Sequence, residues 1–291
     1  MINQLGFILT SKCNLKCHYC YYNNDIYPSL NDNLKLEDIT SFLERVTEVI
    51  PVKSLLLTGG EPLSMGYIME LIVFAGSRVR DIMLLTNGTL ITEELLQQLI
   101  AHRVHLAITL DSLNEAYTDQ YRGRYAKVME VLHMIYEQHY SDHVDLNVTV
   151  SPENVDHIDE VIAYAEERGF GVNLNLMDSE DLLSWNKAST PEIDKALTVF
   201  KGFYAFEERQ YHYKLAEFTL KKQTRIIPKC YFSAKTLIID SDRTIYPCFH
   251  NKSPLGQTTD SVLEIMDKHG EFITRHQSCF NCYRNACFSL F

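Results

Sequence analysis

Three cysteines stand within eight residues near the N-terminus: Cys13, Cys17 and Cys20, in the stretch SKCNLKCHYCYY (11–22). Thiolates four and three residues apart on one loop can converge on a single metal centre. With eight cysteines in 291 residues, this spacing arises by accident with a probability of about 0.006. Two centres compete for it. Structural zinc takes four protein ligands, and the nearest fourth, His18, sits awkwardly between Cys17 and Tyr19. An iron–sulfur cluster held by three thiolates leaves one iron open, and an open iron is where chemistry happens.

The other five cysteines lie at the far end. Cys230 and Cys248 flank 17 residues, Cys279 and Cys282 form a CxxC, and Cys287 follows five positions later. Four thiolates in this pattern read as structural zinc. Cys287 is left over, a substitute ligand or a buried thiol.

The elements that must position these residues read as alternating strands and helices. LGFILT (5–10) and SLLLT (54–58) are short apolar runs of the kind buried in parallel sheets. Between them Ile39, Phe42, Leu43, Val46 and Ile50 mark one helical face. IMLLTNG (82–88), HLAITLDS (105–112), DLNVTVS (145–151) and GVNLNLM (171–177) supply four more strands. Thr92 is placed to cap the helix after the third strand, Gly169 to stop a later one, and Pro191 to open another. Six such alternations imply an α/β domain, a partial (β/α)6 TIM-like barrel. In the last three strands Leu106, Ile108 and Leu110 share a face, as do Leu146, Val148 and Val150, and then Val172, Leu174 and Leu176. The opposite faces carry Thr109 and Asp111; Asn147, Thr149 and Ser151; Asn173 and Asn175. A doubly wound sheet with chance alternation is the simpler alternative. A barrel lined by these polar residues would hold its site at the strands' C-terminal ends.

After about residue 211 the pattern changes. Residues 211–222 suggest a short helix, AKTLIIDSDRTIYPCF (234–249) a hairpin turning at Asp240 to Arg243, and a further helix starts near Asp260. This divides the chain into 1–210, the barrel, and 211–291, a small cysteine-rich domain of hairpin plus helix. The net charge of −11 argues against a nucleic-acid partner. No apolar run is long enough to span a bilayer. No basic n-region with a cleavage site precedes Cys13, so a cytoplasmic, non-membrane protein is expected, with cysteines used for metal or catalysis.

Cys13, Cys17, Tyr19 and Cys20 match the CxxxCxΦC motif of the radical S-adenosylmethionine (radical SAM) superfamily, with Tyr19 as Φ. Gly59-Gly60-Glu61-Pro62, directly after the second strand, is similar to that family's second signature, and TNGTLIT (86–92) and TLDS (109–112) to its third and fourth strand ends. The resemblance covers residues 5 to about 180. It implies a 4Fe–4S cluster on Cys13, Cys17 and Cys20, with S-adenosylmethionine on the open iron. Tyr19 would lay its backbone near the adenine. The backbone of Gly59, Gly60 and Glu61 would receive the methionine amino group, and Thr109 or Asp111 the ribose hydroxyls. Asn147 would add a polar contact, and Arg122 would reach the methionine carboxylate or else lie on the surface. The implied reaction is reductive cleavage of S-adenosylmethionine to a 5′-deoxyadenosyl radical, which abstracts hydrogen from an unactivated C–H bond.

Beside such a core, the C-terminal pattern resembles the SPASM/twitch appendage, in which Cys230, Cys248, Cys279 and Cys282 would hold one auxiliary 4Fe–4S cluster. IYPC (245–248) is typical of its hairpin, while Arg243 stands where that pattern has glycine. The spacing is also close to that of the aminocyclitol dehydrogenase of butirosin biosynthesis. The resemblance implies an enzyme of oxidoreductase or epimerase type, with a flavodoxin or ferredoxin as electron donor. Maturation of a ribosomal peptide by oxidation, crosslinking or epimerisation is the leading expectation, and Cys287 would be the hydrogen donor of an epimerase. The alternatives are a dehydrogenase or epimerase of a small amino-sugar or aminocyclitol, and a non-catalytic iron–sulfur electron carrier.

Overall fold

The structure, a computed structural model, describes residues 2–20, 33–177, 185, 187–204, 216–217, 220–221, 227–228, 231–249, 252–275 and 278–279. It divides into two compact units. Met1–Asn14, Tyr27–Ala107 and Pro228–Cys279 form the first; Leu15–Ile26, Ile108–Ile227 and Phe280–Phe291 form the second.

In the first unit, strand β1 (Gln4–Ile8) pairs in parallel with β2 (Ser54–Thr58), and β2 with β3 (Asp81–Thr86). Leu55, Leu56 and Leu57 are all buried, which parallel strands covered on both faces require. Helix α1 (Leu36–Val49) turns Ile39, Phe42, Leu43 and Val46 inward, the face set by their 3.6-residue spacing. Helix α2 (Ile68–Gly76) buries Ile68, Leu71, Ile72 and Ala75. Helix α3 (Glu93–Ala101) begins at Thr92, whose hydroxyl accepts from the Leu95 amide at 3.2 Å. Strand β4 (Val104–Thr109) follows, its last two residues falling in the second unit.

The C-terminal part of this unit holds the expected hairpin and helix. After the two-residue strand β7 (Ile227–Pro228) and helix α8 (Tyr231–Lys235), β8 (Thr236–Ile239) and β9 (Thr244–Tyr246) run antiparallel. The short β10 (Gly256–Gln257), α9 (Val262–Arg275) and β11 (Ser278–Cys279) complete it. β8 also pairs in parallel with β1, from Gln4 opposite Thr236 to Phe7 opposite Ile239. The strands are therefore ordered β10-β9-β8-β1-β2-β3. Leu237, Ile238 and Ile239 are fully buried, and the Thr236 hydroxyl donates to Gln4 Oε1 at 3.0 Å. Nothing local in the sequence announces this pairing. The hairpin turn closes through the Arg243 amide and the Asp240 carbonyl, 2.9 Å apart, with Arg243 at φ +73°. A left-handed residue directly after such a turn is normally glycine, so Arg243 accepts strain there.

In the second unit, helices α4 (Glu115–Tyr121) and α5 (Tyr125–Glu137) precede β5 (Val144–Val150), and α6 (Ile158–Arg168) leads into β6 (Gly171–Leu176) and then α7 (Thr190–Phe203). Gly169 ends α6 at φ +74°. Helix α7 starts at Ser189 in a capping box with Glu192, and Pro191 lies in its first turn as expected. β5 and β6 are parallel and in register, Asn147 facing Asn173 and Thr149 facing Asn175. Val144, Leu146, Val148 and Val150 are buried while the residues between them are half-buried, as the alternation requires. Val172 keeps its place in the apolar row, opposite Leu146, and is half-buried. The helix expected over 211–222 lies largely outside the described residues. Among those residues, no helix is long and apolar enough to cross a membrane.

Candidate active site

The loop leaving β1 carries Cys13 in the first unit, and its backbone is pinned by the turn after β2. The Gly60 amide donates to the Thr10 carbonyl at 2.7 Å, and the Glu61 amide to the Lys12 carbonyl at 2.9 Å. A Cβ on Gly60 would lie 2.1 Å from the Lys12 oxygen, and Gly59 adopts φ +142°. Only glycines permit this approach. The Glu61 carboxylate is fully buried and divided among three donors: the Leu63 amide at 3.0 Å, the Thr86 hydroxyl at 2.8 Å and the Asn87 amide at 2.8 Å. It thereby ties the end of β2 to the end of β3. Asn87 in turn reaches back to the cysteine loop, with Nδ2 2.9 Å from Asn14 Oδ1 and 3.7 Å from Cys13 Sγ.

Cys17, Tyr19 and Cys20 belong to the second unit. The Tyr19 hydroxyl donates to Asp111 Oδ2 and accepts from Arg122 Nη1. Arg122 also approaches Asp111 Oδ2 at 3.4 Å, with its side chain 9% exposed and that of Asp111 fully buried. Asp111 Oδ1 accepts from the Thr149 amide at 2.7 Å. Tyr19 as a whole is half-buried, but its hydroxyl end is enclosed, and burial pushes its pKa well above the ordinary phenol value. It stays a neutral donor between two charged partners. The His18 amide donates to the Tyr121 carbonyl at 2.7 Å, which anchors the same loop to α4. Along β5 and β6, Asn175 Nδ2 donates to Asn147 Oδ1 at 2.6 Å, and Asn173 Nδ2 to Asp145 Oδ2 at 2.9 Å. Thr109, at the end of β4, is half-buried.

The structure thus gathers Tyr19, Asp111 and Arg122 in one network, and Gly59, Gly60, Glu61 and Cys13 around another. Arg122 is buried against Asp111 and does not lie on the surface. Asp111 spends both oxygens on protein partners, and Asn147 is bonded to its neighbour on β6. Cys13, Cys17 and Cys20 are half-buried thiols, not joined in disulfides. Among the described residues, no three His, Cys, Asp or Glu side chains are gathered as around a metal ion. Cys248 is a buried thiol just after β9, and Cys279 lies in β11. Cys230, Cys282 and Cys287 lie outside the described residues. Sequence reasoning named the TNG stretch only as a strand end and missed Asn87 and Asn14. Their one signal was that asparagine in a turn after a strand has donors to spare. The donor chemistry suits an iron–sulfur cluster: soft thiolates on one loop, with an amide N–H already aimed at Cys13.

Comparison with known proteins agrees. The family model described as the Radical SAM superfamily matches residues 7–165. The AdoMet-dependent heme synthase of Methanosarcina barkeri is 30% identical over 57% of this chain and 47% of its own. The GTP 3′,8-cyclase of Syntrophomonas wolfei is 31% identical over 64% and 59%. The chain thus spans about half of these relatives' lengths. Among solved structures, anSMEcpe with bound AdoMet and the Cp18Cys peptide has a TM-score of 0.71 at 20% identity, covering 96% of this chain and 84% of its own. SuiB of Streptococcus suis, bound to precursor peptide SuiA, has a TM-score of 0.67 at 14% identity, covering 91% and 64%. These two share the fold. With the motif match extending over more than half of its residues, the chain belongs to the radical SAM superfamily.

Proposed function

We propose that this chain modifies a peptide, using a 4Fe–4S cluster held by Cys13, Cys17 and Cys20 and S-adenosylmethionine bound on its open iron. The observation that carries this reading is the packing of Gly59 and Gly60 against the backbone of Thr10 and Lys12, which locks the family's second motif beside the first of the three thiols. When bound, this pair supplies a 5′-deoxyadenosyl radical, able to take hydrogen from an unactivated C–H bond. The chain's own groups bind and orient. The backbone of Gly59, Gly60 and Glu61 would receive an ammonium group, Thr109 a ribose hydroxyl, and the Arg122 guanidinium a carboxylate. Tyr19, kept protonated, holds its backbone still for the adenine.

Residues 211–291 form, in this reading, a twitch-type domain whose Cys230, Cys248, Cys279 and Cys282 hold an auxiliary cluster. With every iron ligated, that cluster passes electrons and does not bind substrate, which fits net oxidation or crosslinking. Cys287 is then free to donate a hydrogen atom in an epimerisation. A flavodoxin or ferredoxin supplies the electron. The peptide substrate is supported by the likeness to anSMEcpe and SuiB, both solved with peptides.

The test uses anaerobically reconstituted protein with dithionite and S-adenosylmethionine, read by chromatography for 5′-deoxyadenosine. Turnover with about seven to eight irons per chain is expected; about four would remove the auxiliary cluster. No 5′-deoxyadenosine from fully loaded protein, even with peptide added, would sink the reading. Stimulation by aminocyclitols and not by peptides would move the substrate to a small molecule.

A further inference from the structure

Asn87 is 7% exposed, and each hydrogen-bonding position of its side chain is used. Its Oδ1 accepts from the Thr89 amide at 2.9 Å and the Thr89 hydroxyl at 2.6 Å. A backbone N–H only donates, so the oxygen must face Thr89 and the NH2 group must face the other way. There its two hydrogens have two acceptors, Asn14 Oδ1 at 2.9 Å and Cys13 Sγ at 3.7 Å. The backbone of Asn87 is itself held by the buried Glu61 carboxylate at 2.8 Å. Asn14 Nδ2 closes the ring onto Thr89 Oγ1 at 2.8 Å. A turn after β3 needs only the bond that the Thr89 amide donates to Asn87 Oδ1. The further bonds fix the amide plane with one N–H directed at Cys13 Sγ.

We propose that Asn87 tunes the reduction potential of the cluster by donating its Nδ2 hydrogen to the Cys13 thiolate. The inference rests on the cluster assignment proposed above. As an iron ligand, Cys13 has lost its proton and can only accept. Reduction adds one electron to the cluster and raises the negative charge on its sulfurs, so a fixed donor stabilises the reduced state more than the oxidised one. Asn87 is thus a positioning residue that acts through Cys13, and without it the cluster is harder to reduce.

The experiment is a redox titration of reconstituted wild type and Asn87→Ala, followed through the electron-spin-resonance signal of the reduced cluster that shifts when S-adenosylmethionine is added. Asn87→Ala should lower the equilibrium constant for one-electron reduction about tenfold, a potential more negative by ~59 mV. An equal or higher potential overturns the inference while leaving the cluster assignment standing. A wild type that lacks the S-adenosylmethionine-sensitive signal overturns both. Should Asn87→Ala fail to take up iron, Thr89→Val removes one of the two bonds that orient the amide. It should shift the potential in the same direction by about threefold in the equilibrium constant, and no shift again overturns the inference.

Discussion

Asp111, Arg122 and Tyr19 form a buried pair of charges with a neutral hydroxyl between them. Breaking such a pair on one side costs more than losing one hydrogen bond, because the remaining charge stays in low dielectric without its partner. Arg122→Ala should therefore destabilise the protein by about 3–5 kcal/mol. Tyr19→Phe, which strips both hydrogen bonds of the hydroxyl but leaves Arg122 3.4 Å from Asp111, should cost less, about 1.5–3 kcal/mol. Urea unfolding of the two variants checks the order, and equal losses would contradict it. The cysteines and the glycine turn were legible in the sequence because each motif is complete within a few consecutive residues. This network was not. Its members are 92 and 103 positions apart, and no periodicity links a tyrosine on a loop to an arginine just past a helix. Asn87 and Cys13, 74 positions apart, were hidden for the same reason.

Among the elements, the β8–β9 hairpin carries the most visible compromise. Arg243 sits at φ +73° in the turn, where a side chain costs about 1–2 kcal/mol relative to glycine. Its guanidinium lies 4.0 Å from Asp38, and both side chains are partly exposed, so that ion pair compensates little. Arg243→Gly should raise stability by about 0.5–1 kcal/mol, the relief of strain less glycine's greater freedom in the unfolded chain. Arg243→Ala, which loses the ion pair but keeps the strain, should give no gain. Thermal unfolding of both separates the two effects. The hairpin was legible from its alternation and turn residues, and helices α1, α3, α5 and α6 from their apolar spacing and caps. The half-burial of Val172 was not legible, because two-residue alternation says which face a side chain takes and not how deeply that face is covered.

At the scale of the molecule, the sequence signalled the α/β class through repeated strand–helix order, but it held no sign of the partner on the other side of β1. A strand's neighbours are chosen by shape and burial over long distances, and β8 offers only four consecutive buried residues. A chain cut after Lys235 would keep all three thiols of the first motif and lose that neighbour. It should self-associate, which light scattering beside the full chain would reveal, because the bare edge of β1 is a template for another strand. The same pairing has a cost in time. Thr236 lies 232 positions after Gln4, and a ribosome adding about 5–20 residues per second needs roughly 10–50 s to cover that distance. For that interval every newly begun copy carries an apolar strand open along one side, so production in cells should depend on chaperones that shield nascent chains.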